Sequence, residues 1–388
     1  MQLTSEHKLM LAVVNTDPSE AELQYIDSLL PMVQDWEYTM RLLTQHGSAP
    51  LLHVKLPHLA NAHCIPPQWV AHVQQVYFKT LSRNMLLYNA FAEAAQALQQ
   101  AGIKVVGLKG IYLAHTLYDD IALRQLSDID ILVPMEQGQL AVDVLAAMGY
   151  VPHDPSVTPF IASQTEIVHY PPMVRAGVSI EVHIRLHRKN EAYALDTAHM
   201  MAFATPWQCN GLLLHALSIN DLLVHLCVHI DKHFEGGHIQ MKCFSDIALL
   251  LHKHRASLQW FELVDLCRHH KCERIVFKYL LLTAKCHAVR LPADIFEAYN
   301  HLVSPLLCER YMRYFHCEYD EKFHATTHLA NIKQIDNPLK KARYLLELVF
   351  PPQSFMLQKY HLQRNGFTRR FWWLWYGYRW WVGVKGLF

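Results

Sequence analysis

Apolar positions recur at helical spacing through the first hundred residues and again beyond Ser218, and between these stretches the spacing switches towards alternation. Near the N-terminus, Asp17 reads as a helix cap, with Pro18 at the first helical position and Glu20 and Glu22 in the first turn. A second helix is predicted over Val33 to His46, stopped by Gly47. A long one follows over Pro67 to Ala101, with Leu87, Phe91 and Leu98 on one stripe and Gly102 as its stop. Then come a short strand over Lys104 to Leu108, a helix over Ile111 to Tyr118, a strand over Ile129 to Val133, and a helix over Glu136 to Met148 ending at Gly149. Extended segments at Glu166 to Tyr170 and Val178 to His187, separated by Pro171, Pro172 and Gly177, predict antiparallel sheet. Helical spacing returns over Asp221 to His233, Cys243 to His252, Gln259 to His269 and Arg274 to His287. The expected fold is α+β: a mixed β-sheet with flanking helices at 102–215, between helical regions at 1–101 and 216–350, with a basic aromatic tail at 351–388.

Composition narrows the function. With 388 residues, 52% hydrophobic and 18% charged, the chain can bury a large core and form more than one domain. A formal charge of +1 excludes a global polyanion binder. The nine cysteines are scattered and never in Cys-x-x-Cys spacing, which argues against a disulfide framework or a zinc ribbon and for reduced thiols in the cytoplasm. The short apolar stretch near the N-terminus is a poor signal peptide, so no secretion is expected.

Candidate chemistry concentrates between Gly107 and Val133. A Lys109-Gly110 turn opens an apolar helix, where glycine permits close approach and the first helical N–H groups and dipole favour an anion such as a polyphosphate. Asp128 and Asp130 stand two apart in an extended chain, which directs both carboxylates to one face and Ser127 and Ile129 to the other. The segment Ser179 to His187 puts Ser179, Glu181, His183, Arg185 and His187 on one face and Ile180, Val182, Ile184 and Leu186 on the other. If it lies beside the Asp128 strand, Glu181 supplies a third carboxylate and His183 and Arg185 line the same cleft. Three acids together call for cations, and magnesium, which takes oxygen ligands and is completed by substrate phosphates, suits them.

The segments LKGIYLAHTLY, LRQLSDIDILVP and SIEVHIRLH resemble the uncharacterised nucleotidyltransferase-like family of the polymerase-beta superfamily, and HLCVHIDKHF, FSDIALLL and ARYLLELVFPPQSFMLQKY extend the likeness over most of the chain. The resemblance implies a minimal nucleotidyltransferase core. In it Asp128, Asp130 and Glu181 are the catalytic metal-binding carboxylates and Lys109, Gly110, Arg124, His183 and Arg185 face the nucleotide. It also implies Mg2+, with Mn2+ as a substitute, and a nucleoside triphosphate, ATP by default, as substrate. A hydroxyl of a small-molecule, protein or RNA acceptor would attack the α-phosphorus and expel pyrophosphate. The wider superfamily's Gly-Ser turn is replaced by Lys109-Gly110, which removes a hydroxyl and adds a cation. The alternative is a catalytically silent scaffold of the same fold.

Outside this constellation, His225, His229 and His233 share a helical face. With 27 histidines in the chain, that face is expected to border the cleft as part of its wall more than to hold zinc. Asp246 is expected to cap or bridge helices, and Cys267, His269, His270 and Cys272 have the wrong spacing for a zinc finger. After Glu347 there is no acidic residue, whereas Lys359, Arg364, Arg369, Arg370, Arg379 and Lys385 are basic and Trp372, Trp373, Trp375, Trp380 and Trp381 interleave with them. Packing against the helical half, peripheral contact with the inner face of a membrane, and single-stranded nucleic acid all fit that pattern, and a transmembrane span does not.

Overall fold

The computed structural model describes residues 3–153, 168–187, 193–235, 240–287, 289–314, 332, 335, 337–360, 362 and 370–385. It is an α+β fold whose mixed sheet lies between helical regions. In chain order the N-terminal helices are α1 (Ser5–Ala12), α2 (Glu20–Leu29), α3 (Trp36–Gln45), α4 (Ala49–Lys55) and the long α5 (Pro67–Gln100). The central region holds α6 (Lys109–Thr116), α7 (Gly138–Ala147) and α8 (Thr197–Ala202). It is followed by α9 (Ile219–Glu235), α10 (Lys242–Lys253), α11 (Trp260–His269), α12 (Glu273–Cys286), α13 (Ala293–Tyr299) and α14 (Pro305–Tyr314). The described C-terminal helices are α15 (Pro338–Val349), α16 (Gln353–Lys359) and α17 (Trp375–Lys385).

Seven strands, β1 (Val106–Gly107), β2 (Ile129–Leu132), β3 (Val151–Pro152), β4 (Met173–Arg175), β5 (Val178–His183), β6 (Thr205–Cys209) and β7 (Leu212–Ala216), form one sheet in the order β3-β4-β5-β2-β1-β7-β6. Its centre is mixed: β2 runs parallel to β5 and antiparallel to β1, which is parallel to β7. The β4–β5 and β6–β7 connections are two-residue turns, Ala176-Gly177 and Asn210-Gly211, with φ of 49° and 77° and of 46° and 78°. Positive φ at both turn positions matches the right-handed twist of the flanking strands. Pro206 sits on the edge strand β6, where a missing N–H costs no ladder bond.

Period-two burial divides the sheet's faces. Ile129, Ile131, Ile180 and Val182 point into a core shared with Leu87, Phe91, Ala94 and Leu98 of α5 and Ala141 and Leu145 of α7. Leu132 on the opposite face joins a larger core built from the N-terminal helices together with α9, α10 and α12. Asp130, Glu181 and His183 are therefore framed by apolar layers on a face that already meets α9.

Several local expectations shift. The cap of α2 is Ser19, beyond Asp17 and Pro18, because Ser19 and Glu22 form a reciprocal capping box in which Glu22 N–H donates to Ser19 Oγ and Ser19 N–H to the Glu22 carboxylate. Strand β1 is confined to Val106–Gly107, shorter than Lys104 to Leu108. The alternation of β5 stops at His183, short of His187, because the N–H groups of Ile184 and Arg185 both donate to Val168 O and the ladder cannot continue. Of the extended segment expected at Glu166 to Tyr170, Glu166 and Ile167 lie outside the described residues, and His169 makes an isolated antiparallel bridge to His183. Helix α1 and the β6–β7 hairpin are additional elements.

In the tail, Arg364 and Arg369 fall outside the described residues. The described part folds back on the end of α15: Tyr376 Oη donates to Pro351 O, Trp380 Nε1 to Val349 O and Arg379 Nη2 to Leu348 O. Trp373 and Trp381 stay more than half exposed. Among the described residues no helix is long and apolar enough to cross a membrane.

Candidate active site

The site begins with strand register. In the parallel β2–β5 pair Asp130 lies opposite Glu181 and Leu132 opposite His183, so the two carboxylates project from adjacent strands on the same side. His183, two residues on from Glu181, brings its Nε2 to 2.7 Å from Asp130 Oδ1 and 3.6 Å from Glu181 Oε2. Across β1, Lys109 takes a left-handed backbone with φ of 44°, and its Nζ reaches Asp130 Oδ1 at 3.2 Å. The conformation is uncommon for a residue with a side chain, and here it starts α6 directly beside the acid pair.

These groups set one another's protonation. Burial alone would raise Asp130, but the Lys109 ammonium and the His183 imidazole hold its carboxyl well below the ordinary range. Glu181 is lowered too, because His183 and His169 outweigh burial and the repulsion of Asp130. Burial pushes His183 down, yet bonds to Asp130 and Glu181 leave it raised. For Lys109, burial is outweighed by Asp130, Glu181 and Asp128. Asp128 goes the other way. It is raised by burial and by the like charge of Asp130, although Ser127 Oγ donates to its Oδ1 at 2.8 Å.

The loop that delivers Asp128 is pinned from two sides. From α5, buried Asn84 donates through Nδ2 to Ile121 O and Arg124 O and accepts from Leu126 N–H. From α10, Asp246 receives Arg124 Nε at 2.8 Å, Arg124 Nη2 at 2.7 Å and Tyr118 Oη at 2.9 Å. The Arg124 guanidinium is thus committed to a buried bidentate ion pair, and the expected free phosphate contact is replaced by a support beneath the turn. Its Nη1 would lie 2.6 Å from a Cβ placed on Gly110. Gly110→Ala is accordingly expected to destabilise the fold by about 1–3 kcal/mol, read as a lower urea midpoint, because Asp246 keeps Arg124 from giving way. An unchanged midpoint would show that the turn has slack.

Of the residues singled out from sequence, Lys109, Asp130, Glu181 and His183 come together. Asp128 acts on Lys109 and is acted on by Asp130 and Glu181 electrostatically, but it is not in the group whose ligand atoms lie within 4.8 Å of one another. Gly110 lies in the adjoining turn, and Arg185 stands beyond the end of β5 with Nη2 3.4 Å from Met135 Sδ. The α9 face borders the cluster: Lys109, His183 and Asp130 all act electrostatically on His225, and Lys109 and Asp130 on His229. Burial first, and then the Lys109 ammonium, pushes both imidazoles well below their ordinary range. Asn84, Tyr118 and His169 escaped the sequence reading. His169 alone carried a signal, as the polar tip of a short apolar stretch, whereas nothing in the spacing pointed to the other two.

Asp130, Glu181 and His183 can each offer one ligand atom, all within 4.8 Å of one another, which is close enough for one cation to bridge them. The donor set, two carboxylates and an imidazole, is one that could hold a metal ion. No curated protein and no solved structure matches the chain. The profile of the uncharacterised nucleotidyltransferases matches residues 33–288, from just before α3 to just past α12, so it takes in the whole sheet and the helices that flank it. The chain belongs to the uncharacterised nucleotidyltransferase family.

Proposed function

We propose that the protein transfers a nucleoside monophosphate from a nucleoside triphosphate, ATP by default, to a hydroxyl of an acceptor, with release of pyrophosphate. The observation that carries this reading is the Asp130–Glu181 register, which holds two carboxylates and the His183 imidazole together beside an ammonium in a chain of this family. Asp130, Glu181 and Asp128 would hold a divalent cation, magnesium or manganese, which when bound supplies charge neutralisation and alignment of the triphosphate.

The protein's own groups do the rest. Lys109, charged and held beside the acid pair by Asp130, can share that charge with phosphate oxygens. The first amides of α6, which have no side-chain cap from Leu108, lie next to it, and Gly110 lets an anion approach them closely. As the acceptor oxygen bonds to the α-phosphorus, the bond to the β-phosphate oxygen breaks, pyrophosphate leaves with that electron pair, and the hydroxyl proton passes to a carboxylate.

The Lys109–Asp130 ion pair also supports a second reading. It already neutralises one carboxylate without a metal, as a silent binding scaffold would require. The experiment that separates them incubates the protein with each α-labelled triphosphate and cell extract. Label passing to an acceptor in wild type and not in Asp130→Asn supports transfer. No label and no calorimetric triphosphate binding in well-folded protein leaves the scaffold.

A further inference from the structure

An all-oxygen magnesium site would need no imidazole, yet nitrogen crowds this one. His183 Nε2 touches Asp130 Oδ1, and its Nδ1 is buried without a hydrogen-bond partner among the described residues. His169 brings Nδ1 to 3.9 Å from Glu181 Oε2, and its ring centroid is 5.0 Å from that of His183. On α9, His225 is 4% exposed, with neither ring nitrogen hydrogen-bonded among the described residues. The His229 ring follows one helical turn on, 6.2 Å away between centroids. A buried polar ring with nothing to bond is costly unless a ligand or its water completes it.

Magnesium is small and hard, prefers oxygen and keeps its waters, whereas imidazole suits the first-row transition ions. We infer that the cation held between Asp130 and Glu181 is a first-row divalent transition ion, ligated directly by His183, in preference to magnesium. This rests on the reading that the acid pair holds a cation at all. His183 Nε2 now donates its proton to Asp130, so taking the ion there releases that proton and turns the nitrogen lone pair to the metal. His225, whose ring nitrogens are buried with no hydrogen-bond partner among the described residues, and His229 beside it offer nitrogens that an ion or its waters can use.

The test is metal binding by the full chain, free of nucleotide. Manganese is titrated by electron paramagnetic resonance and magnesium by calorimetry. In wild type, pulsed resonance of bound manganese should show nitrogen-14 coupling from imidazole. His183→Gln should weaken manganese by about tenfold or more while moving magnesium by less than about twofold. Asp130→Asn should weaken both. Bound manganese without nitrogen coupling, or parallel losses of both ions in His183→Gln, would overturn the imidazole assignment and leave the cation site standing. Wild type that binds neither ion would sink the site itself. If His183→Gln does not fold, the wild-type coupling decides alone.

Discussion

Asp246→Ala is expected to lower the unfolding free energy by about 3–5 kcal/mol. Asp246 is 1% exposed and is the carboxylate that receives two nitrogens of the buried Arg124 guanidinium and the Tyr118 hydroxyl. Arg124 is pushed towards a permanently charged state by Asp246, against the effect of its burial, so removing Asp246 strands a charge that cannot neutralise itself. Lys242 close by makes this worse. Burial and the Arg124 charge already push its ammonium down, and it holds Gln125 O at 3.4 Å on the same loop. Paired replacement by apolar residues, Arg124→Met with Asp246→Leu, should recover most of the loss, because it removes both charges together. Urea unfolding of Arg124→Met, Asp246→Leu and the pair measures this as a double-mutant cycle. A coupling near zero would mean that the ion pair is incidental. The functional consequence follows from position: the pair spans α10 and the loop before Asp128, so the C-terminal helices hold the candidate site in shape.

That coupling marks the limit of what the sequence disclosed. The convergence of Asp130 and Glu181 was legible because strands have a fixed period of two: once both segments are extended and parallel, like positions face the same side. The same rule failed two residues later. Shared donation to Val168 O ended β5 at His183, and no periodicity in the β5 segment itself encodes a partner strand. The β6–β7 hairpin did carry a signal, Asn210-Gly211 between apolar runs, which outweighs the modest alternation around it and went unread. The Arg124–Asp246 pair lies 122 residues apart, and a carboxylate among the apolar neighbours of α10 says only that some partner exists. Lys109 was readable as a cation at a helix start, but its ion pair with Asp130 depends on a left-handed backbone that a lysine rarely adopts. Local pattern thus exposed the strands and their faces, whereas the polar contacts that lock the site depend on tertiary packing.

Asp130→Asn and Asp128→Asn should change stability in opposite directions while each lowers transferase activity about a hundredfold or more. Asp130 accepts from Lys109 and His183, and its folded pKa lies well below the unfolded one. Its contribution is therefore present above the unfolded value, near about 4, and is lost only as the pH falls through the lower folded value. The amide keeps the shape but loses the charge that stabilises a buried ammonium, at a cost of about 1.5–3 kcal/mol. Asp128 is raised by burial and by Asp130, so its charged form is disfavoured in the folded state. That penalty is full above its raised folded value, shrinks as the pH falls towards the unfolded value, and vanishes below it. Asp128→Asn should accordingly gain about 0.5–2 kcal/mol at neutral pH, with the gain fading on acidification, while the deficit of Asp130→Asn persists to lower pH. Urea midpoints at pH 7, 5 and 4 read both trends. Equal signs for the two variants would break the electrostatic account of the site. Opposite signs would show that the fold tolerates a destabilising carboxylate where a proton or cation is to be received, and holds its neighbour ionised to keep the Lys109 ammonium in place.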